Sequence, residues 1–301
     1  MGLMSTLAMS TAVTASLASG IQPVDAPDLE SQHPSHVQSV GSPHIYNQKP
    51  HNNGGGQETQ EDDLYVDQVT SMLLNDGSSQ SSRVGSNSSE MEGIDISSHQ
   101  HGSEGEININ QALSTGGQDF VFVKATEGTG YQNPHYRNDT ISVINNDKPV
   151  GFYHYAKPTK KAGDGRKQAD FFLSVTGIDK GVKSLPPVLD IEENEENLSA
   201  SELSEWVKDF TDRIHEKTGR YVMIYTYPTF WMSDMGNTTE FSDLPLWIAH
   251  YTHADSPTLP GGWTDWTFWQ YTSTGKVSGY PKDIDMNYFN GNQNTLKSMY
   301  L

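Results

Sequence analysis

The sequence lacks cysteine altogether and has few basic side chains. Without cysteine there can be no disulfide, no thiol nucleophile and no zinc site built from thiolates. Lys and Arg together number 19 against 38 Asp and Glu, so the formal net charge is −19 at pH 7. Because nucleic-acid binding depends on clustered basic residues, we expect no nucleic-acid partner. A neutral polymer is compatible with such an acidic surface, whereas an anionic membrane is not.

Residues 1–18 lack any charged side chain and form an apolar run of small residues that ends in Ser16, Leu17 and Ala18. The run resembles the apolar region and cleavage site of a secretory signal peptide, although the usual basic leading region is missing. Ser and Thr are too frequent in it for a convincing membrane span. We therefore predict a signal-peptide remnant, a secreted and extracellular protein, and no membrane span.

Residues 19–92 are poor in apolar side chains and rich in Ser, Gly, Gln, Asn and His. Such a composition cannot repay the entropy of ordering a chain, so we predict a low-complexity linker that is mostly disordered. Within it, residues 61–76 repeat apolar side chains at helical spacing. This pattern predicts either a short amphipathic helix packed on the folded domain or a transient helix in the linker.

Residues 93–301 carry dense aromatic and alternating apolar patterns, and we predict one folded domain there. Helical patterns follow the earlier apolar runs, most clearly at 199–219, where Ser199 or Ser201 can cap the start and Gly219 ends the helix. Alternation of these helices with eight strands predicts an α/β fold. The expected architecture is a parallel (β/α) barrel whose last helices are degenerate or absent. The predicted strands are 93–97, 119–126, 149–156, 187–192, 221–227, 246–251, 267–272 and 283–289.

Acidic residues interrupt three of these strands where apolar residues would be expected. Asp190 and Glu192 in PPVLDIE are two positions apart, so on an extended chain both carboxyls point to one side, ~6.6 Å apart at Cα from a rise of ~3.3 Å per residue. Asp95 and Asp285 lie in the first and last predicted strands. Because barrels carry their active sites at the carboxyl ends of the strands, the four acids predict a functional site.

Two chemistries use clustered carboxylates, namely binding of a hard cation and glycoside hydrolysis, in which one carboxyl protonates the leaving oxygen. Aromatic side chains near the same strands favour glycoside hydrolysis, because rings offer stacking platforms for sugars. No His pair has the spacing of metal ligands, so we predict no metal and no cofactor. The aromatic residues are Tyr153, Tyr155, Tyr225, Tyr227, Trp247, Tyr251, Trp269 and Tyr271.

Six segments in order across residues 93–291 carry a resemblance to a known family. They are GIDISSHQ, FVFVKATEGTGYQNP, GFYHYA, PPVLDIE, LPLWIAHY and WTFWQYTSTGKVSGYPKDIDMNYFNG. Together they resemble glycoside hydrolase family 25, the lysozymes that are N-acetylmuramidases. The resemblance implies a (β/α)5β3 barrel. It also implies bacterial peptidoglycan as the partner, cleaved at the β-1,4 bond from N-acetylmuramic acid to N-acetylglucosamine.

The same resemblance implies roles for single residues. Glu192 corresponds to the general acid, Asp190 would stabilise the anomeric centre, and Asp95 and Asp285 would complete the acidic floor of the groove. We expect Glu192 to be protonated at rest because neighbouring carboxyls disfavour a second charge. The resemblance favours retention, with Asp190 acting directly or by orienting the N-acetyl group of the substrate.

Further positions are similar to substrate contacts of the family. Lys124 is one of them, although with Glu127 it could instead form an internal ion pair. His99 and His154 could act as bases, but we interpret both as structural or substrate contacts. The remaining predicted substrate contacts are Tyr153, Tyr225, Trp247, Gln270 and Tyr251.

Two other functions stay open at this point. A hydrolase of chitin or another N-acetylated glycan would use the same chemistry. A non-catalytic protein that binds the cell wall could retain the groove without turnover, although the presence of all four acids argues against it. We expect the protein to act as a monomer.

Overall fold

The computed structural model describes residues 91–103 and 105–301. The predicted signal-peptide remnant at 1–18 and the predicted helix at 61–76 lie outside the described residues, as does the linker at 19–92 apart from its last two residues. Among the described helices, none has the length and apolar character needed to cross a bilayer.

In the described part of the chain, eight strands close into a barrel, which confirms the predicted α/β barrel. Each strand overlaps its predicted position, and the first begins two residues earlier than expected. The strands are β1 (Met91–Ile96), β2 (Phe120–Glu127), β3 (Val150–Tyr155), β4 (Val188–Asp190), β5 (Met223–Thr226), β6 (Leu246–Ala249), β7 (Phe268–Gly275) and β8 (Ile284–Phe289).

The helices become sparse after β5, as the sequence predicts. No helix separates β6 from β7 or β7 from β8 in this described stretch. The helices are α1 (Ile109–Ser114), α2 (Tyr136–Ile144), α3 (Asp164–Thr176), α4 (Ala200–Thr218), α5 (Pro228–Ser233) and α6 (Gln293–Met299).

Helix α4 begins and ends at the predicted signals. Of the two serines that could cap it, Ser199 does so: its hydroxyl accepts from the backbone N–H of Glu202, and the Glu202 carboxylate accepts from the Ser199 N–H. Such a reciprocal pair satisfies two donors that the helix leaves open. Gly219 ends the helix with a φ of 70°, a conformation that glycine adopts without strain.

The prediction of parallel strands throughout is wrong for β8. This strand runs antiparallel to both of its neighbours, β1 and β7. A parallel connection needs a crossover of a dozen or more residues, usually with a helix, whereas a hairpin needs only a short loop. The short helix-free link between β7 and β8 therefore reverses the chain. As a result the start of β8 lies beside the carboxyl ends of the other strands.

Large rings fill the barrel below that end. Phe122 stacks on Trp247 with 4.4 Å between ring centroids, and it meets Phe268 edge to face at 5.0 Å. Glycines make room for the rings: a Cβ on Gly151 would lie 2.2 Å from the Phe122 ring, and one on Gly93 would lie 2.4 Å from the Phe120 ring. Protein interiors pack as densely as organic crystals. These packed rings therefore restrict movement of the strands that carry the acids.

Replacing Gly151 with Ala is expected to destabilise the domain by about 1–3 kcal/mol, because the added methyl group overlaps the Phe122 ring. Gly130→Ala is the matched control, since a Cβ there would meet nothing within 4 Å. Urea unfolding at constant slope measures both changes. Equal stability of Gly151→Ala and wild type would show that the Phe122 ring can move to accommodate the added methyl group.

Candidate active site

The four predicted acids all lie at one end of the barrel. Asp95 in β1 and Asp285 near the start of β8 are direct partners in the antiparallel ladder. Asp190 is the last residue of β4, so the predicted strand at 187–192 extends two residues too far at its carboxyl end, and Glu192 lies just beyond the observed strand. All four side chains are buried, with exposed fractions of 3% for Asp95, 2% for Asp190, 2% for Glu192 and 7% for Asp285.

The phenol of Tyr153 shows how closely these acids gather. Burial raises the pKa of Tyr153 well above its ordinary value, and the negative charges of Asp95, Asp190, Asp285 and Glu192 raise it further. Tyr153 lines one cavity with Asp95 and Asp190. Asp285 is the ladder partner of Asp95, and Glu192 follows Asp190 by two residues. The structure therefore brings together every acid that the sequence singled out.

A narrow cavity lies at this end of the barrel. Two acids and three aromatic side chains line it: Asp95, Asp190, Tyr153, Tyr225 and Trp247. The three aromatic residues are among those predicted to contact substrate. Their position beside the carboxyls fits a site in which rings hold a sugar against acidic groups.

Asp95 anchors a network of amide side chains. Its Oδ2 accepts from Gln270 Nε2 and from Asn287 Nδ2, each at 2.9 Å. Both amides are fully buried. Buried polar groups are costly unless hydrogen-bonded, so these contacts fix the orientation of both amides.

The oriented amides in turn hold aromatic side chains. Gln270 Oε1 accepts from the hydroxyls of Tyr225 at 3.0 Å and Tyr251 at 2.7 Å, while Trp247 Nε1 donates to Asn287 Oδ1 at 2.7 Å. Burial raises the pKa of Tyr225 and of Tyr251 well above the ordinary value. Both phenols therefore stay neutral donors at physiological pH.

Asn287 is the member of this network that sequence reasoning missed. It lies two residues after Asp285 on the same strand. The period-two argument that paired Asp190 with Glu192 would have placed Asn287 on the inner face as well.

Lys124, the other predicted substrate contact, lies one strand away from the network. Its Nζ pairs with Glu127 Oε2 at 2.6 Å and lies 4.4 Å from the centre of the Tyr155 ring. The side chain is only 12% exposed. Of the two interpretations left open by the sequence, the geometry favours the internal ion pair.

Two of the eight predicted aromatic platforms, Trp269 and Tyr271, do not face the site. Trp269 Nε1 donates to the His250 carbonyl at 2.8 Å, and Tyr271 stacks on Tyr288 with ring centroids 4.0 Å apart. Because Gln270 between them points inward, its two neighbours point outward. The prediction for these two residues was wrong.

The two histidines that could have served as bases are placed elsewhere. His154 is fully buried, with Nδ1 2.8 Å from Thr126 Oγ1 and Nε2 2.9 Å from Gln168 Oε1. Burial lowers the pKa of His154 to about 4, so it is a neutral structural residue, as interpreted from the sequence. His99 is exposed on a short 3-10 turn.

In the part of the chain that the structure describes, no three His, Asp or Glu side chains are arranged to hold a metal ion.

Comparison with known proteins assigns this architecture to a family. Residues 94–280 match the model of glycosyl hydrolases family 25. Lysozyme M1 of Streptomyces globisporus is 38% identical over 208 residues, which cover 67% of this chain and 68% of that protein. An N,O-diacetylmuramidase of Chalaropsis sp is 36% identical over 219 residues, covering 69% and 98%. The crystal structure of a bacterial lysozyme from Streptomyces coelicolor superposes with a TM-score of 0.64 at 35% identity, covering 71% and 98%.

The burial of neutral His154 predicts a pH dependence of stability. Its folded pKa of about 4 lies below the ordinary value of 6.5 for histidine, so on acidification the unfolded chain binds the proton first. Stability from this group is full above pH 6.5 and declines as the pH falls towards 4. Between pH 7 and pH 5 the loss is about 2 kcal/mol.

Urea unfolding at the two pH values, on wild type and on His154→Gln, isolates this loss. The variant is expected to lack that part of the decline. His253→Gln, a change at an exposed loop position, should retain the wild-type decline. If His154→Gln and wild type lose equal stability between pH 7 and pH 5, His154 is not the group responsible.

Proposed function

The chain belongs to glycosyl hydrolase family 25, and from this premise we propose that it is a muramidase that hydrolyses bacterial peptidoglycan. The bond cleaved is the β-1,4 linkage from N-acetylmuramic acid to N-acetylglucosamine. The observation that carries the proposal is the group of four buried carboxyls at the carboxyl end of the barrel. The names of the relatives, a lysozyme and an N,O-diacetylmuramidase, support the same substrate class.

Glu192 is the general acid in this proposal. Its carboxyl is 2% exposed and lies just past the end of β4, beside Asp190. A carboxyl in this position is placed to protonate the leaving glycosidic oxygen, the step that a general acid performs in glycoside hydrolysis.

Asp190 stabilises the positive charge that develops at the anomeric carbon. It acts on that carbon directly, or it orients the N-acetyl group of the substrate as an internal nucleophile, and both routes retain the anomeric configuration. Asp95 has a different part, because its Oδ2 is committed to the amides of Gln270 and Asn287. It holds the network that positions the aromatic side chains.

The Tyr153 phenol supplies a hydrogen-bond donor to the substrate. Tyr153 lines the cavity with Asp95 and Asp190 and is kept neutral by burial and by its acidic neighbours. Neutral donors placed in a water-poor site stabilise oxygens that gain charge during the reaction. A signal-peptide remnant at 1–18 would bring the enzyme to its extracellular substrate.

Glu192→Gln is expected to lower turnover on purified peptidoglycan by about 10²–10⁴-fold, because the amide cannot donate the proton. Folding and binding should persist, since Gln has nearly the same shape. Glu205→Gln, at an exposed position on α4, is the matched control and should retain full activity. Wild-type turnover in Glu192→Gln would remove Glu192 from the role of acid.

The identity of the new chain ends tests the proposed bond. Digested peptidoglycan is reduced with borohydride, and the reduced sugars are identified by mass spectrometry. Reduced muramic acid is the expected end. Reduced glucosamine ends would contradict the proposed bond and indicate a glucosaminidase, and cleavage of chitin without cleavage of peptidoglycan would favour a chitin-like substrate.

A further inference from the structure

The proposed acid lies where the barrel passes into the loop that follows β4. Strand β4 ends at Asp190, and Glu192 lies two residues further along the chain. The Ile191 N–H donates to the Tyr225 carbonyl at 3.0 Å, and the Glu192 carbonyl accepts from the Tyr227 hydroxyl at 3.4 Å. Contacts made by the residues that follow Glu192 contribute to its position as well.

The next side chain along the chain is firmly held. Glu193 Oε2 accepts from the Tyr155 hydroxyl at 2.8 Å, and Glu193 Oε1 lies 2.5 Å from Lys157 Nζ. The Glu193 side chain is 14% exposed and that of Lys157 is 32% exposed. A half-buried ion pair with a charge-assisted hydrogen bond is stronger than an exposed one. Its removal would leave a half-buried carboxylate without its cation, which is costly.

The lysine comes from a fixed backbone. The Gln168 side chain accepts from the Lys157 N–H at 3.1 Å and donates to the Lys157 carbonyl at 2.6 Å. Helix α3, which carries Gln168, thus fixes the backbone from which the Lys157 side chain extends. Its ammonium also lies 3.5 Å from Glu195, 4.0 Å from Glu127 and 5.1 Å from the centre of the Tyr155 ring.

We propose that Lys157 and Glu193 form a positioning pair that places the general acid Glu192 against the glycosidic oxygen. The inference rests on the proposed function, since it assigns the pair a task in that reaction. Neither residue is proposed to touch the substrate. The pair acts by fixing the backbone directly after Glu192, and a displacement of about 1 Å in a reacting group can cost on the order of 100-fold in rate.

The proposal predicts a change in kcat without a matching change in KM. Lys157→Met is expected to lower kcat on solubilised peptidoglycan by about tenfold or more, while KM changes by less than about twofold. Lys157→Arg keeps a cation that can pair with Glu193 and should recover most of the lost rate. Lys160→Met, an exposed lysine three residues further along the same loop, is the matched control and should leave both constants unchanged.

Double substitutions separate this inference from the proposed function. Lys157→Met with Glu193→Gln should be no worse than the more damaging single change, because the two residues act as one unit. In a Glu192→Gln background, Lys157→Met should lower the residual rate no further. Wild-type kcat in folded Lys157→Met, with Glu192→Gln inactive, would overturn the positioning pair and leave the function intact. Wild-type turnover in Glu192→Gln would instead remove Glu192 from the role of acid, and with it the task assigned to the pair.

Discussion

Burying four carboxyl groups at one end of one barrel is the constraint on which the rest of the structure depends. Like charges removed from water repel one another strongly, and each also loses its hydration. The chain offsets part of this cost with amide donors to Asp95 and with neutral phenols around the acids. It also places Lys124 and Lys157 close to the Tyr155 ring, each paired with a glutamate. The centre of the site is thus acidic, whereas at its edge lysines pair with the acidic side chains.

Chain direction is what allows the fourth acid to join the other three. In a barrel with eight parallel strands, a residue near the start of the last strand would lie at the end opposite the active site. Because β8 is reversed, Asp285 at its second position pairs with Asp95 at the site. The missing helix between β7 and β8 and the location of Asp285 therefore have one structural cause.

Local signals in the sequence sufficed for most of the fold. The strands followed from short apolar runs, and α4 followed from its apolar face together with Ser199 and Gly219. The acids could be found because a charged residue on an inward-facing strand position is anomalous. The outward position of Trp269 and Tyr271 was missed because the aromatic residues were considered without strand alternation. Gln270 between them was predicted to contact substrate, and alternation then places both of its neighbours on the outer face. The inward amide is stable there because it has hydrogen-bond partners.

Contacts between distant loops were beyond sequence reasoning. Lys157 and Glu193 belong to loops after different strands, and no periodicity relates them. The direction of β8 could have been predicted in part. The link between β7 and β8 is too short for a parallel crossover, but the sequence analysis counted the strands without considering the length of that link. Sequence patterns thus identify the groups that perform the chemistry better than the groups that hold them in place.

The most direct test of the central claim is a crystal structure of Glu192→Gln with a peptidoglycan tetrasaccharide bound. We expect the glycosidic oxygen within about 2.6–3.2 Å of the side-chain amide at position 192, with the anomeric carbon beside Asp190. A glycan bound with its scissile bond away from residue 192, or outside the cavity lined by Asp95, Tyr153 and Trp247, would contradict the assignment of this acid cluster as the catalytic site.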